Sequence, residues 1–194
     1  MGRNKEFEED EVLKKAMELF WLQGYEKTTM SDLVEHMGIH RKSLYDTFGD
    51  KHSLYLKAID CYSLNTSEAL NCVISQAKTA REGIKNIFSL MIDGTEEHPC
   101  GCFIVNAVTE MAMRDKEVDE KAEEALAQSE RLMGELIRKG QKDGEFSCSL
   151  SADSLAEILH STLLGVRVYA RTSGSREKLH GLADNFLLLL KGNH

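Results

Sequence analysis

The chain has 194 residues, of which 42% are hydrophobic, and it carries 24 basic and 32 acidic side chains for a formal net charge of −8. This length allows one or two compact units, and the hydrophobic content excludes a disordered chain. The acidic excess excludes attraction to nucleic acid through overall charge, so any such contact must come from a local basic patch. No apolar run approaches the roughly 20 residues that cross a bilayer, and no leader peptide is recognisable. We therefore expect a cytoplasmic protein with no membrane contact.

The composition also indicates the fold class and the redox state. A single proline and little alternation of β-branched residues predict an all-α protein. The five cysteines are an odd number without the spacing of a disulfide framework, so we expect reduced thiols. The sequence has no phosphate-binding glycine loop and no zinc-type spacing of Cys and His, which predicts no cofactor and no metal site.

The first two predicted helices follow from apolar spacing and end signals. An apolar stripe predicts a helix over 10–23, which Gly24 ends as a left-handed cap. Thr29 then opens a second, short helix with Asp32 in a capping-box-like arrangement, and Gly38 ends it.

A third, very short helix is predicted over 40–47, and Asp50 caps a long fourth helix. Two short helices joined by a tight glycine turn, with the apolar Ile39 just beyond it, form the helix-turn-helix arrangement. In such a unit the second short helix lies in the major groove of DNA, and its first residues meet base edges. Arg41 suits this place because Arg can make two parallel hydrogen bonds to guanine.

The candidate DNA contacts therefore lie around this turn. They are Thr29, His40, Arg41, Lys42, Ser43, Tyr45, Thr47 and Lys51. An ordinary solvated helix face is the alternative interpretation. The placement of the basic residues relative to the Gly38 turn favours DNA contact instead.

The rest of the chain is predicted to be a separate helical domain. Helical patterns cover 80–96, 101–114, 117–140, 152–172 and 175–191. The sequence thus predicts a DNA-binding domain over 1–50 and a second domain over 51–194.

The helix-turn-helix segment resembles a known family. The resemblance lies in the run TTMSDLVEHMGIHRKSLYDTFGDKHSLY and the preceding AMELFWLQGYEKTT, about the first quarter of the chain. These are similar to the DNA-binding segment of the TetR/AcrR family of bacterial transcriptional regulators. His40 departs from the Ser with which the family usually begins its third helix.

The resemblance implies an all-α homodimer with an N-terminal helix-turn-helix domain and a C-terminal domain for effector binding and dimerisation. Its expected function is a repressor that binds a palindromic operator in double-stranded DNA and is released by a small-molecule effector. For the effector pocket we predict adaptable apolar residues with a few polar groups: Phe88, Met91, Phe103, Asn106, Glu110 and Met111. For the dimer interface we predict the apolar spacing of the last two helices: Leu155, Leu159, Thr162, Val166, Tyr169, Leu182, Phe186 and Leu189.

Three alternatives stay open at this point. A small hydrolase could use Cys102, His98 and Glu110, although no nucleophile motif supports it and we predict no catalytic residues. The helix-turn-helix could contact only protein. Cys100 and Cys102, beside His98, could bind a soft metal or respond to oxidants, but two packed small residues explain them more simply.

Overall fold

A computed structural model describes residues 3–94, 101–172 and 175–191, with side chains from residue 9 onward. Within these ranges the chain is helical and has no strand, which confirms the predicted all-α class. The helices are α1 (Arg3–Gln23), α2 (Met30–Met37), α3 (Arg41–Phe48), α4 (Lys51–Ser75), α5 (Ala80–Asp93), α6 (Phe103–Ala107), a π-helix (Val108–Ala112), α7 (Lys116–Lys142), α8 (Ala152–Ala170) and α9 (Arg176–Leu189).

Most of the predicted helices agree with the structure to within two or three residues. Two predictions differ. The first helix begins at Arg3 rather than at residue 10, since its polar first turns carry no apolar stripe. The helix predicted over 101–114 consists of α6 followed directly by the π-helix. Among the described helices, none combines the length and the apolar character needed to span a bilayer.

The chain divides into two compact units. The first comprises Met1–Asn65 with Phe103–Ala125, and the second comprises Thr66–Cys102 with Leu126–His194. Helices α4 and α7 each run from one unit into the other. The first unit thus includes a distant segment, and the functional boundary after residue 50 stays a prediction.

The first unit is built around an aromatic cluster. The rings of Phe20 and Tyr55 meet edge to face with centroids 4.9 Å apart, and Tyr55 and Phe103 do so at 5.5 Å. Aromatic pairs prefer this geometry because the positive edge of one ring meets the negative face of the other. The cluster joins α1, α4 and α6, and the short helices add Leu33 and Leu44, both fully buried.

The second unit has its own apolar core, formed by one face each of α5, α8 and α9 with parts of α4 and α7. Phe88 and Phe186 meet in it, with ring centroids 5.8 Å apart. The start of α5 is held from the loop after α7, where Glu145 accepts hydrogen bonds from the N–H groups of Ala80 (2.9 Å) and Arg81 (3.0 Å). The carboxylate thereby satisfies two of the donors that a helix start leaves free.

Candidate DNA-binding site

Helix α2 begins with a complete capping box at Thr29. The Thr29 Oγ1 accepts from the Asp32 N–H (3.2 Å), and the Thr29 N–H donates to Asp32 Oδ2 (2.8 Å). The Thr29 hydroxyl also donates to the same carboxylate (2.7 Å), and these bonds from Thr29 lower the pKa of Asp32. The hydroxyl proton is thus already used within the protein. A phosphate contact at Thr29 would have to displace it from Asp32.

The turn between α2 and α3 depends on Gly38. Its φ of 70° lies in the left-handed region, and its N–H donates to the carbonyls of Glu35 and Val34. His40 is the N-cap residue of α3, but its side chain makes no capping hydrogen bond. Because His40 stands in place of the usual Ser, the start of α3 has no side-chain cap.

Helix α3 buries one face and exposes the other. Leu44 and Phe48 are buried, with exposures of 0% and 4%. The predicted contact residues of this helix lie on its outer face. Exposed are Arg41, Lys42, Ser43 and Tyr45, and Thr47 is half-buried. The Arg41 guanidinium carbon is 5.8 Å from the centre of the Tyr45 ring, within cation–π range.

Lys51 is the first residue of α4. Its Nζ lies 4.2 Å from the centre of the Tyr25 ring, which also contacts the rings of Phe20 and Tyr55. Burial, followed by the charges of Asp50 and neighbouring carboxylates, raises the pKa of Tyr25, so the phenol stays neutral. Sequence reasoning did not assign Tyr25 a role. The Gly-Tyr pair before the threonines is the only local signal for it.

The predicted contact set is basic, although the segment that contains it has a net negative charge. Residues 1–56 contain 8 basic and 11 acidic side chains, a net charge of −3. Three of the basic residues, Arg41, Lys42 and Lys51, lie within the contact set. A patch of this kind attracts phosphates only over a short range, because salt screens charges beyond about 10 Å at moderate ionic strength.

The six predicted effector residues fall in both units. Phe88 is fully buried in the core of the second unit and Met91 packs against that core. Phe103, Asn106, Glu110 and Met111 belong to the first unit. In that unit, Asn106 Nδ2 donates to the Trp21 carbonyl (3.2 Å), and the Glu110 carboxylate accepts from the Tyr25 and Glu26 N–H groups.

The second unit also has an open cleft of about 460 Å³ between α5 and α9. Its lining includes the basic residues Arg81, Lys85 and Lys191 and the apolar Leu187 and Leu188. None of the predicted effector residues lines this cleft.

The eight predicted interface residues differ in exposure. Tyr169, Leu182 and Leu189 are exposed by 59%, 40% and 82%. The half-buried members are Leu155 and Thr162, and those within the core of the second unit are Leu159, Val166 and Phe186. On α8 the exposed apolar surface also includes Ile158 and Val168.

The thiol and metal alternatives gain little from the described residues. Cys102 is buried, while Cys100 and His98 lie outside the described residues. In the described part of the chain, no group of His, Cys, Asp and Glu is arranged to hold a metal ion.

Two family models match the chain. Residues 12–58 match "Bacterial regulatory proteins, tetR family", and residues 80–186 match "Tetracyclin repressor-like, C-terminal domain". The first match contains the helix-turn-helix and its contact set. The second covers more than half of the chain.

Relatives are similar over nearly the whole length. The uncharacterized HTH-type transcriptional regulator YezE of Bacillus subtilis (strain 168) is 31% identical over 98% of this chain and 100% of its own. The HTH-type transcriptional repressor ComR of Escherichia coli (strain K12) is 30% identical over 97% of this chain and 91% of its own.

A solved structure agrees with these relatives. A cysteine mutant of the TetR family regulator CifR, complexed with 26 bp double-strand operator DNA, superposes with a TM-score of 0.83 at 29% identity. The match covers 93% of this chain and 95% of CifR. Together with the exposed cationic start of α3, these similarities show that the chain belongs to the TetR family of helix-turn-helix transcriptional regulators and is a DNA-binding protein rather than an enzyme.

Proposed function

We propose that the protein is a homodimeric repressor that binds a palindromic operator and leaves it when a small-molecule effector binds. The main support is the outer face of α3, where Arg41, Lys42 and Tyr45 are exposed directly after the Gly38 turn. Arg41 reads base edges in the major groove, and Lys51 contacts phosphate. The operator complex of CifR and the repressor name of ComR support the same role.

The proposed dimer forms through α8 and α9. Tyr169, Leu182 and Leu189 are exposed apolar side chains, and a second subunit would cover them. Gly165 is exposed and a Cβ there would meet open space, so a partner helix can approach α8 closely at this point. A palindromic operator then follows, because a two-fold dimer presents its two α3 helices to half-sites about 34 Å apart.

For the effector, we propose contact with the predicted residues of the run from α6 to the π-helix, which all belong to the first unit. The effector lowers DNA affinity by binding more tightly to a state in which the two α3 helices no longer match the half-sites. A differential affinity of ~100-fold would contribute at most about 2.7 kcal/mol to that shift. The protein acts in the cytoplasm, where bacterial operators lie.

Fluorescence anisotropy with duplexes from upstream of the protein's own gene tests this proposal. We expect binding to one duplex to resist a scrambled competitor of equal length and to weaken steeply with added salt. Equal affinity for both duplexes at every salt concentration would reject the proposed function. A reporter fused to the same promoter should increase in expression when the regulator's gene is deleted.

A further inference from the structure

Both carboxylate oxygens of Glu110 accept hydrogen bonds from a turn of the first unit that is distant in sequence. Its Oε2 accepts from the Tyr25 N–H (2.9 Å) and its Oε1 accepts from the Glu26 N–H (2.8 Å). Hydrogen bonds to a carboxylate are stronger than those between neutral groups. One side chain from the π-helix thus fixes the backbone of the turn that leads from α1 to α2.

Gly24 leaves the space for this carboxylate. Its φ of +84° belongs to the left-handed region, and a Cβ at this position would lie 2.7 Å from Glu110 Oε2. No side chain larger than hydrogen fits there unless the carboxylate moves. The turn is therefore shaped around Glu110.

The neighbours of Glu110 hold the same turn on both sides. Asn106, one helical turn earlier, donates to the Trp21 carbonyl (3.2 Å) at the end of α1. Arg114, one turn later, donates to the Glu110 carbonyl (2.8 Å), and its Nη1 lies 3.6 Å from Glu26 Oε1. Short π-helical segments are frequent at functional sites, and this one carries the central residue of the contact.

The same turn includes Tyr25, whose ring contacts the Lys51 ammonium. Tyr25 receives its backbone position from Glu110, and its ring lies 4.2 Å from the Lys51 ammonium. A lysine held in this way loses less side-chain freedom when it meets a phosphate. Glu110 therefore acts on Lys51 through Tyr25.

We propose that Glu110 is a positioning residue for DNA binding: it fixes the Gly24–Glu26 turn so that Tyr25 presents Lys51 to operator phosphate. The inference rests on the proposed function, because it takes the Lys51–phosphate contact from there. It deepens that function by naming the contact through which the run from α6 to the π-helix acts on a DNA-binding residue.

The test compares Glu110→Gln with Glu123→Gln, an exposed residue of the same unit that makes the same change in charge. In Glu110→Gln the amide oxygen can still accept from one backbone N–H. The amide NH₂ faces the other N–H, and two donors cannot form a hydrogen bond. We expect its operator affinity to fall about tenfold relative to Glu123→Gln. The slope of log K against log [salt] should become shallower by about 0.9 for each phosphate that lysine no longer neutralises, so by about 1.8 for a dimer.

The cycle with Lys51→Ala separates positioning from plain structural support. Once Lys51 is absent, Glu110→Gln should have almost no further effect on operator affinity. Additive effects or an unchanged salt slope would overturn the inference, whatever happens to the melting temperature. If Glu110→Gln does not fold, Glu110→Asp, which keeps the charge but shortens the reach, is measured by the same criteria.

Failure of the inference and failure of the proposed function give different results. If the wild-type protein binds no duplex specifically, the proposed function fails. If the wild type binds, Lys51→Ala flattens the salt slope and Glu110→Gln does not, only the inference fails.

Discussion

The Lys51 ammonium and the Tyr25 ring face each other at 4.2 Å, one at the start of α4 and the other in the turn after α1. The ring is itself fixed by contacts with Phe20 and Tyr55. A cation over such a face is attracted by the ring quadrupole. The position of Lys51 thus depends on residues far from it in sequence.

Replacing Tyr25 tests this dependence. Tyr25→Ala should lower operator affinity by about tenfold, as Glu110→Gln does, since the ring no longer holds the ammonium. Tyr25→Phe keeps the ring face and should bind as the wild type does. Anisotropy titrations on one duplex measure both variants, and equal losses for Phe and Ala would show that the hydroxyl matters instead.

Arg41 is expected to determine base preference. Arg41→Ala should cost about 1–3 kcal/mol on the operator and relax discrimination at one position of each half-site. Lys51→Ala should instead weaken all duplexes alike, since a phosphate contact carries no sequence information. Competition against single-base operator variants distinguishes the two. A uniform loss for Arg41→Ala would contradict base readout by this residue.

Glu145 should make the stability of the second unit dependent on pH. Burial alone would raise the pKa of Glu145, but hydrogen bonds from Arg81 and Ala80 outweigh it and lower the pKa below 4.5. The stabilisation is therefore complete above pH 4.5 and is lost as the pH falls through the lower folded-state value.

Denaturant unfolding of Glu145→Gln measures this effect. The variant should lose about 1–2 kcal/mol of unfolding free energy at pH 7, because one acceptor of the α5 start is missing. The difference from wild type should shrink below about pH 4.5 as the native carboxylate becomes protonated. A difference that stays constant from neutral to acid pH would contradict the assignment.

An exposed leucine of α9 and a buried leucine of α8 separate the proposed interface from the core. Leu182→Asp places a charge on the exposed stripe, so we expect the helical spectrum to remain and sedimentation to show a monomer. Leu159→Ala lies in the core and should cost about 2–5 kcal/mol of stability without changing the association of folded protein. A dimer of unchanged affinity in Leu182→Asp would place the interface elsewhere.

Local signals in the sequence were sufficient for much of the fold. The Thr29–Asp32 pair and Gly38 identify both ends of α2, because capping and left-handed turns depend on a few neighbouring residues. The start of α1 was missed because its first turns are polar. The exposed basic face of α3 followed from the same local pattern.

Contacts between distant residues could not be read in this way. Helical spacing gives apolar faces but does not say what covers each one, so the predicted interface set mixes exposed Leu189 with buried Leu159. Glu110 was predicted from its type and position as an effector residue. Its hydrogen bonds to Tyr25 and Glu26 join residues more than 80 positions apart, a pairing without a local sequence signal.

The inclusion of Phe103–Ala125 in the first unit affects how hybrid regulators should be made. A chimera that joins the first 50 residues of this protein to the body of a relative would leave behind Phe103 and the glutamate that grips the turn. The helix-turn-helix segment of such a chimera would then pack against side chains of the relative. Transferring the helix-turn-helix segment together with Phe103–Ala125 should preserve operator preference better than exchanging the first 50 residues alone.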